Sequence, residues 1–184
     1  MVSMMDCIRR VPLRLQWILD HHEAVFAPLT EHYGAALARI DEIVLLGSGT
    51  SSTCAVTARY PMQRLAGIRV TPTLPSEFLH EAAVRNPHAL YVAISQTGTS
   101  LLTRRALALA CRLGYATASV SESPHTPIAG EAEVFIDMGC GAEEYPMRTI
   151  GYSTSVLSLL MLGLHMGMQN GSLTSEGRKA FLTQ

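Results

Sequence analysis

The run Ile43-Val44-Leu45-Leu46-Gly47-Ser48-Gly49-Thr50-Ser51-Ser52 decides the fold. Four aliphatic residues with no polar alternation read as a strand buried on both faces, as parallel sheets require. The turn after it is rich in glycine and hydroxyls and opens a helical segment over 51–66. The pattern then recurs, with short strands predicted at 68–71, 90–94, 117–120 and 134–136 and helical segments near 75–84, 99–113 and 149–168. Strands alternating with helices imply right-handed crossovers and a parallel sheet covered on both sides. The predicted fold is α/β: a three-layer α/β/α sandwich whose five-stranded parallel sheet has the order 2-1-3-4-5, flavodoxin-like. An N-terminal helical segment over 8–40 precedes it. Within that segment a helix is predicted from about Pro12 to Arg39, because proline suits a first helical turn.

Composition sets the frame around that core. The chain has 184 residues, 48% of them hydrophobic, with a formal net charge of −1. That suits one domain over 1–184, with its core at about 43–168. The near-neutral balance speaks against nucleic acid as a partner. Thirteen of the fourteen basic residues are arginine, and the lone Lys179 lies near the C-terminus, so neither a P-loop lysine nor a Schiff-base lysine fits the core. Cys7, Cys54, Cys111 and Cys140 are scattered, without ligand spacing, so no metal and no disulfide framework is expected. Free thiols and a start without a signal core suit the cytoplasm. The most apolar stretch, 156–168, is too short and too interrupted to span a bilayer, so no membrane is expected.

An order of 2-1-3-4-5 places a ligand crevice between strands 1 and 3, where chain direction reverses. The two loops leaving those strands are Gly47-Ser48-Gly49-Thr50-Ser51-Ser52 and Ser95-Gln96-Thr97-Gly98-Thr99-Ser100, the most hydroxyl-rich turns in the sequence. Each opens a helix, so free backbone N–H groups and a positive dipole end face the crevice. With glycines for close approach, Ser48, Gly49, Thr50, Ser51, Ser95, Thr97 and Ser100 make an anion cradle that needs no lysine or arginine. The competing reading is ordinary helix capping by serine and threonine. No dinucleotide cofactor is expected: the first loop lacks the third glycine of G-x-G-x-x-G, and Thr71-Pro72-Thr73 ends strand 2 where an acid would sit.

Residues 43–168 resemble the sugar isomerase (SIS) domain family of phosphosugar-binding proteins, notably the isomerase half of glucosamine-6-phosphate synthase and the fructosamine deglycases. The residues that carry the resemblance are Gly49-Thr50-Ser51, Leu65-Ala66-Gly67-Ile68, Ser76-Glu77-Phe78, Ile94-Ser95-Gln96-Thr97-Gly98 and Leu113-Gly114-Tyr115. The resemblance implies a sugar phosphate ligand held by Thr50, Ser51, Ser95, Gln96, Thr97 and Ser100. Gly98-Thr99-Ser100 departs from the family's frequent Gly-Glu-Thr and loses a carboxylate. Tandem members carry two such domains, with catalytic groups drawn largely from the second, and here one domain is read.

Aldose–ketose isomerisation needs a base to move a proton between adjacent carbons. In Glu143-Glu144-Tyr145-Pro146 the resemblance to single-domain members such as arabinose-5-phosphate isomerases assigns the base to Glu143, with Glu144 and Glu77 as alternatives. The competing reading is a pair of carboxylates favoured by the dipole of the last helix. His21, His22, His80 and His125 read as solvated or structural, and Cys54 as a small core residue. The last helix is apolar nearly all round, which is the ground for expecting a homo-oligomer, a dimer or tetramer, against cover by the opening helix of the same chain. Two functions follow: a sugar-phosphate isomerase or deglycase acting as an oligomer, or a non-catalytic phosphosugar-binding module, including a one-domain remnant of a tandem enzyme.

Overall fold

The structure, a computed structural model, describes residues 2–141 and 143–183. Five parallel strands, β1 (Glu42–Gly47), β2 (Arg69–Thr73), β3 (Ala89–Ile94), β4 (Ala116–Ser121) and β5 (Val134–Asp137), form one sheet in the order β2-β1-β3-β4-β5. Every residue of β1 and β3 is buried, as central strands covered on both faces must be. Side chains alternate across the sheet. Ile43 and Leu45 join the larger core with Val92, Ile94 and Ile136, whereas Val44 and Leu46 pack with Phe78, Tyr91 and Ala106 on the other side. Pro72 falls in β2, an edge strand with a single neighbour, where a missing N–H costs least.

The helices are α1 (Met4–Tyr33), α2 (Thr50–Ala66), α3 (Pro75–His80), α4 (Leu101–Arg112), α5 (Ile150–Gln169) and α6 (Ser175–Leu182). The larger core takes residues from α1, α2 and α5, and the smaller one from α3 and α4, which gives the three predicted layers. In the β1–β3 pairing Gly47 stands opposite Ile94. Both strands therefore end at the same level, and their loops leave side by side.

Two expectations are corrected. First, α1 begins eight residues before Pro12, set by a capping box: Ser3 Oγ accepts from Asp6 N at 3.3 Å, and Asp6 Oδ2 accepts from Ser3 N at 2.9 Å. Pro12 and Pro28 both lie inside α1, each removing one helical bond, and the burial of Cys7, Ile18, Phe26 and Leu29 carries the helix through them. A 3₁₀ turn, Gly34–Arg39, replaces the end of the predicted helix. Second, the segment over 75–84 breaks at Glu81 into α3 and a 3₁₀ turn, Ala82–Val84, and α6 was not predicted at all. The apolar surface of α5, the ground for expecting an oligomer, is covered in large part by the same chain. Twelve of its residues are buried within the chain, mainly against α2 and α1. α5 is also long and apolar enough to cross a membrane, but 67% of that window lies inside the fold, as befits a core helix.

Candidate functional site

The β1–α2 and β3–α4 loops meet in a cavity of about 210 Å³ at the carboxyl edge of the sheet. Its walls include Ser48, Thr50 and Ser51 from the first loop and Ser95, Gln96, Thr97 and Ser100 from the second. Sequence reasoning named all of these, and the fold brings them together. Gly49 is the N-cap of α2, with φ of 58°. Gly98 turns the second loop with φ of 68°, where a Cβ would stand 2.5 Å from Thr126 Cβ, so only glycine fits.

The capping alternative fails at both loops: neither Gly49 at α2 nor Ser100 at α4 supplies a side-chain cap. The hydroxyls bond sideways instead, Thr97 Oγ1 with Thr99 Oγ1 and Ser100 Oγ with Thr103 Oγ1, each at 2.9 Å. The helix starts are left open toward the cavity, the arrangement that receives an anion.

The third wall comes from the start of α5 and was missed: Arg148, Gly151 and Ser155. Arg148 Nη1 donates to the Glu143 carbonyl oxygen at 3.1 Å, and no carboxylate pairs with it among the described residues. The cavity thus holds one unneutralised cation besides the two hydroxyl-rich loops. The sequence signal was Arg148 standing two residues before α5.

Glu143 is buried and does not line the cavity. Its Oε1 accepts from Thr149 N at 2.7 Å, Thr149 Oγ1 at 3.0 Å and Ile150 N at 2.9 Å; its Oε2 accepts from Gly151 N at 3.0 Å and Gln96 Nε2 at 3.3 Å. Burial alone would push this carboxyl up, but the three amides and Gln96 together outweigh it and hold it below the ordinary glutamate value. Among the alternatives, Glu144 is exposed and ion-paired with Arg10 of α1. Glu77 accepts from Leu74 N at 3.1 Å and caps α3. His80 and His125 are exposed and line no part of the cavity. Cys54 does line it, but burial pushes its thiol up to about 11, so it stays protonated at neutral pH and makes a poor nucleophile.

A wider hollow of about 460 Å³ lies between α1, α5 and α6. Its polar groups already bond one another: His165 Nε2 with Thr30 Oγ1 at 3.0 Å, and Arg178 with Glu23 and with His22 Nε2 at 3.2 Å. The smaller cavity is the one with open donors. No cluster of three or more histidine, cysteine or acidic side chains suited to a metal occurs among the described residues.

Fold and cavity together define a doubly wound α/β domain with an anion cleft at its switch point. The family is narrower still: the SIS domain model matches residues 36–165, and the chain belongs to that family, as the loop motifs implied. Glutamine–fructose-6-phosphate aminotransferase (isomerizing) from Xylella fastidiosa (strain Temecula1) is 33% identical over 146 residues, covering 79% of this chain and 24% of the relative. The C-terminal domain of glucosamine-fructose-6-phosphate aminotransferase from Francisella tularensis superposes with a TM-score of 0.82 at 20% identity, covering 98% of this chain and 51% of that one. The Vibrio vulnificus NanR protein, solved in complex with ManNAc-6P, gives a TM-score of 0.64 at 16% identity, covering 94% of this chain and 64% of that one. The chain therefore spans about a quarter of the length of the curated relative (24%) and about half of the Francisella chain (51%).

Proposed function

We propose that this chain binds a phosphorylated sugar in the cleft between the β1 and β3 loops. The phosphate sits at the starts of α2 and α4, within reach of Ser48, Thr50, Ser51, Ser95, Thr97 and Ser100, with Arg148 adding charge from the α5 side. The observation that carries this reading is the pair of helix starts without side-chain caps, surrounded by hydroxyls. Hydrogen bonds to a charged group contribute roughly 1.5–3 kcal/mol each, so four or five of them support micromolar to millimolar affinity. A dianion collects those bonds and the dipole term, whereas a neutral hydroxyl gains little over water. The names of the relatives, one acting on fructose 6-phosphate and one solved with ManNAc-6P, agree with this ligand class.

A second reading, an aldose–ketose isomerase or deglycase, rests on the same names. Among the described residues, the cleft lining holds no aspartate, glutamate or histidine. Turnover in it draws its proton carrier from outside that lining, from Glu143 through a rearrangement or from another SIS unit. Four cysteines, all free, fit a reducing compartment for either reading. Calorimetry with hexose, pentose and amino-sugar phosphates beside their parent sugars tests the binding. The phosphates are expected to bind and the parent sugars not to; equal affinity for a sugar and its phosphate removes the reading.

A further inference from the structure

We propose that Glu143 is a positioning residue: it sets the α5 wall of the cleft by holding Gln96 and Arg148 in place, and it does not itself transfer a proton. This rests on the sugar-phosphate reading above. Of the twelve cleft-lining residues, Gln96 from the β3 loop and Arg148 from the approach to α5 are bonded to this one residue through their side chains, and Gly151 through its amide. Its carboxylate holds the Gln96 amide, and its backbone carbonyl holds the Arg148 guanidinium. The residue thus joins two walls, reaching Gln96 across 47 positions of sequence and Arg148 across 5.

A base must offer a free lone pair toward the substrate. A carboxylate has about four lone-pair sites. Five donors already stand at those of Glu143, at 2.7–3.3 Å. Gly151 gives an independent sign that the Gln96 side chain is fixed deliberately. A Cβ at 151 would stand 1.9 Å from Gln96 Oε1, so the amide lies directly over the glycine. It is held by Glu143 on one side and by the missing side chain on the other. Gly151→Ala displaces Gln96 and leaves the Glu143 carboxylate and its backbone donors in place, because the clashing atom is the end of a flexible side chain.

The test combines ¹⁵N NMR of the Gln96 side-chain amide in the unliganded protein with calorimetry of fructose 6-phosphate binding. It compares the wild type, E143Q, E143D, G151A, Q96A and the double variant E143Q/Q96A. The Gln96 amide is expected at a distinct, protected position in the wild type and at the free-amide position in E143Q and G151A. Affinity is expected to fall about tenfold in both, an effect of one charge-assisted contact. E143Q is expected to add little on the Q96A background, since groups acting as one unit are non-additive. E143D keeps a carboxylate near α5 with a shorter reach, and the same loss of Gln96 order is expected there if E143Q does not fold. An unmoved Gln96 amide in E143Q and E143D overturns the proposal, as does full affinity with lost turnover in E143Q, the mark of a proton carrier. No binding by the wild type removes the sugar-phosphate reading instead, while the unliganded NMR comparison still decides the role of Glu143.

Discussion

Three helices begin around the cleft, and they begin differently. α2 and α4 start with no side-chain cap and with serines and threonines turned toward a shared cavity. α5 starts at the same cavity, where Gly151 lines it, with its first amides bonded to Glu143. The same backbone problem, unsatisfied N–H groups at a helix start, is solved internally at one helix and left open at two. On the proposed function, the caps withheld at α2 and α4 are the ones a phosphate supplies. That contrast separates the proposed ligand place from the scaffold around it.

The comparison breaks first at Glu143. Glu143→Ala leaves several buried donors without an acceptor, and each such group costs roughly 1–3 kcal/mol. An unliganded destabilisation of about 3 kcal/mol is expected in urea denaturation, partly relieved by water. At the open starts the effect is the reverse. Ser95→Ala with Thr97→Val is expected to leave the unliganded midpoint nearly unchanged and to remove most of the ligand-induced stabilisation. That stabilisation is about 2.7 kcal/mol at a ligand concentration of 100 times the dissociation constant, visible in a melting experiment.

A smaller effect comes from the opposite end of α5. Burial pushes the His165 imidazole down to about 4 from 6.5. The unfolded chain therefore takes up a proton near 6.5 that the folded chain refuses until about 4, so stability present at neutral pH is lost as pH falls through that window. The full shift corresponds to about 3 kcal/mol, and because His165 is only half-buried a loss on the order of 1–2 kcal/mol between those limits is expected for the wild type; it should largely vanish in His165→Leu, as read from denaturation at stepped pH. Glu143, held below its ordinary 4.5, adds a loss of the same sign as pH falls below that value. The smallest expected effect is at Arg148. Arg148→Leu should weaken sugar phosphate about tenfold, near 1.4 kcal/mol, by calorimetry, with the hydroxyl cradle still in place.

The central strands were legible because nothing competes with an aliphatic run such as Ile43–Leu46: no helix period, no polar face. The cleft followed from strand order, since a switch point names its own two loops. The start of α1 was misread because Pro12 is a conspicuous signal, and Ser3-Met4-Met5-Asp6, the true cap, is a quiet one. α6 buries no residue, so it leaves no apolar period to detect. The apolarity of α5 left cover by a second subunit and cover by the same chain both open, because helix apolarity counts the surface to be covered, not which chain covers it. Glu143 was found as a residue, but its bonds were not legible. It reaches Ile150, the first residue of α5, from seven positions upstream, well outside the spacing of a local capping box.

The most direct measurement is a ¹⁵N titration of the protein with fructose 6-phosphate, following the backbone amides at 50–52, 99–103 and 149–151. The account predicts large, saturable shifts at the first two groups, where helix starts are open, and little change at the third, where Glu143 already occupies the donors. Shifts concentrated at 149–151, with 50–52 and 99–103 silent, would contradict it.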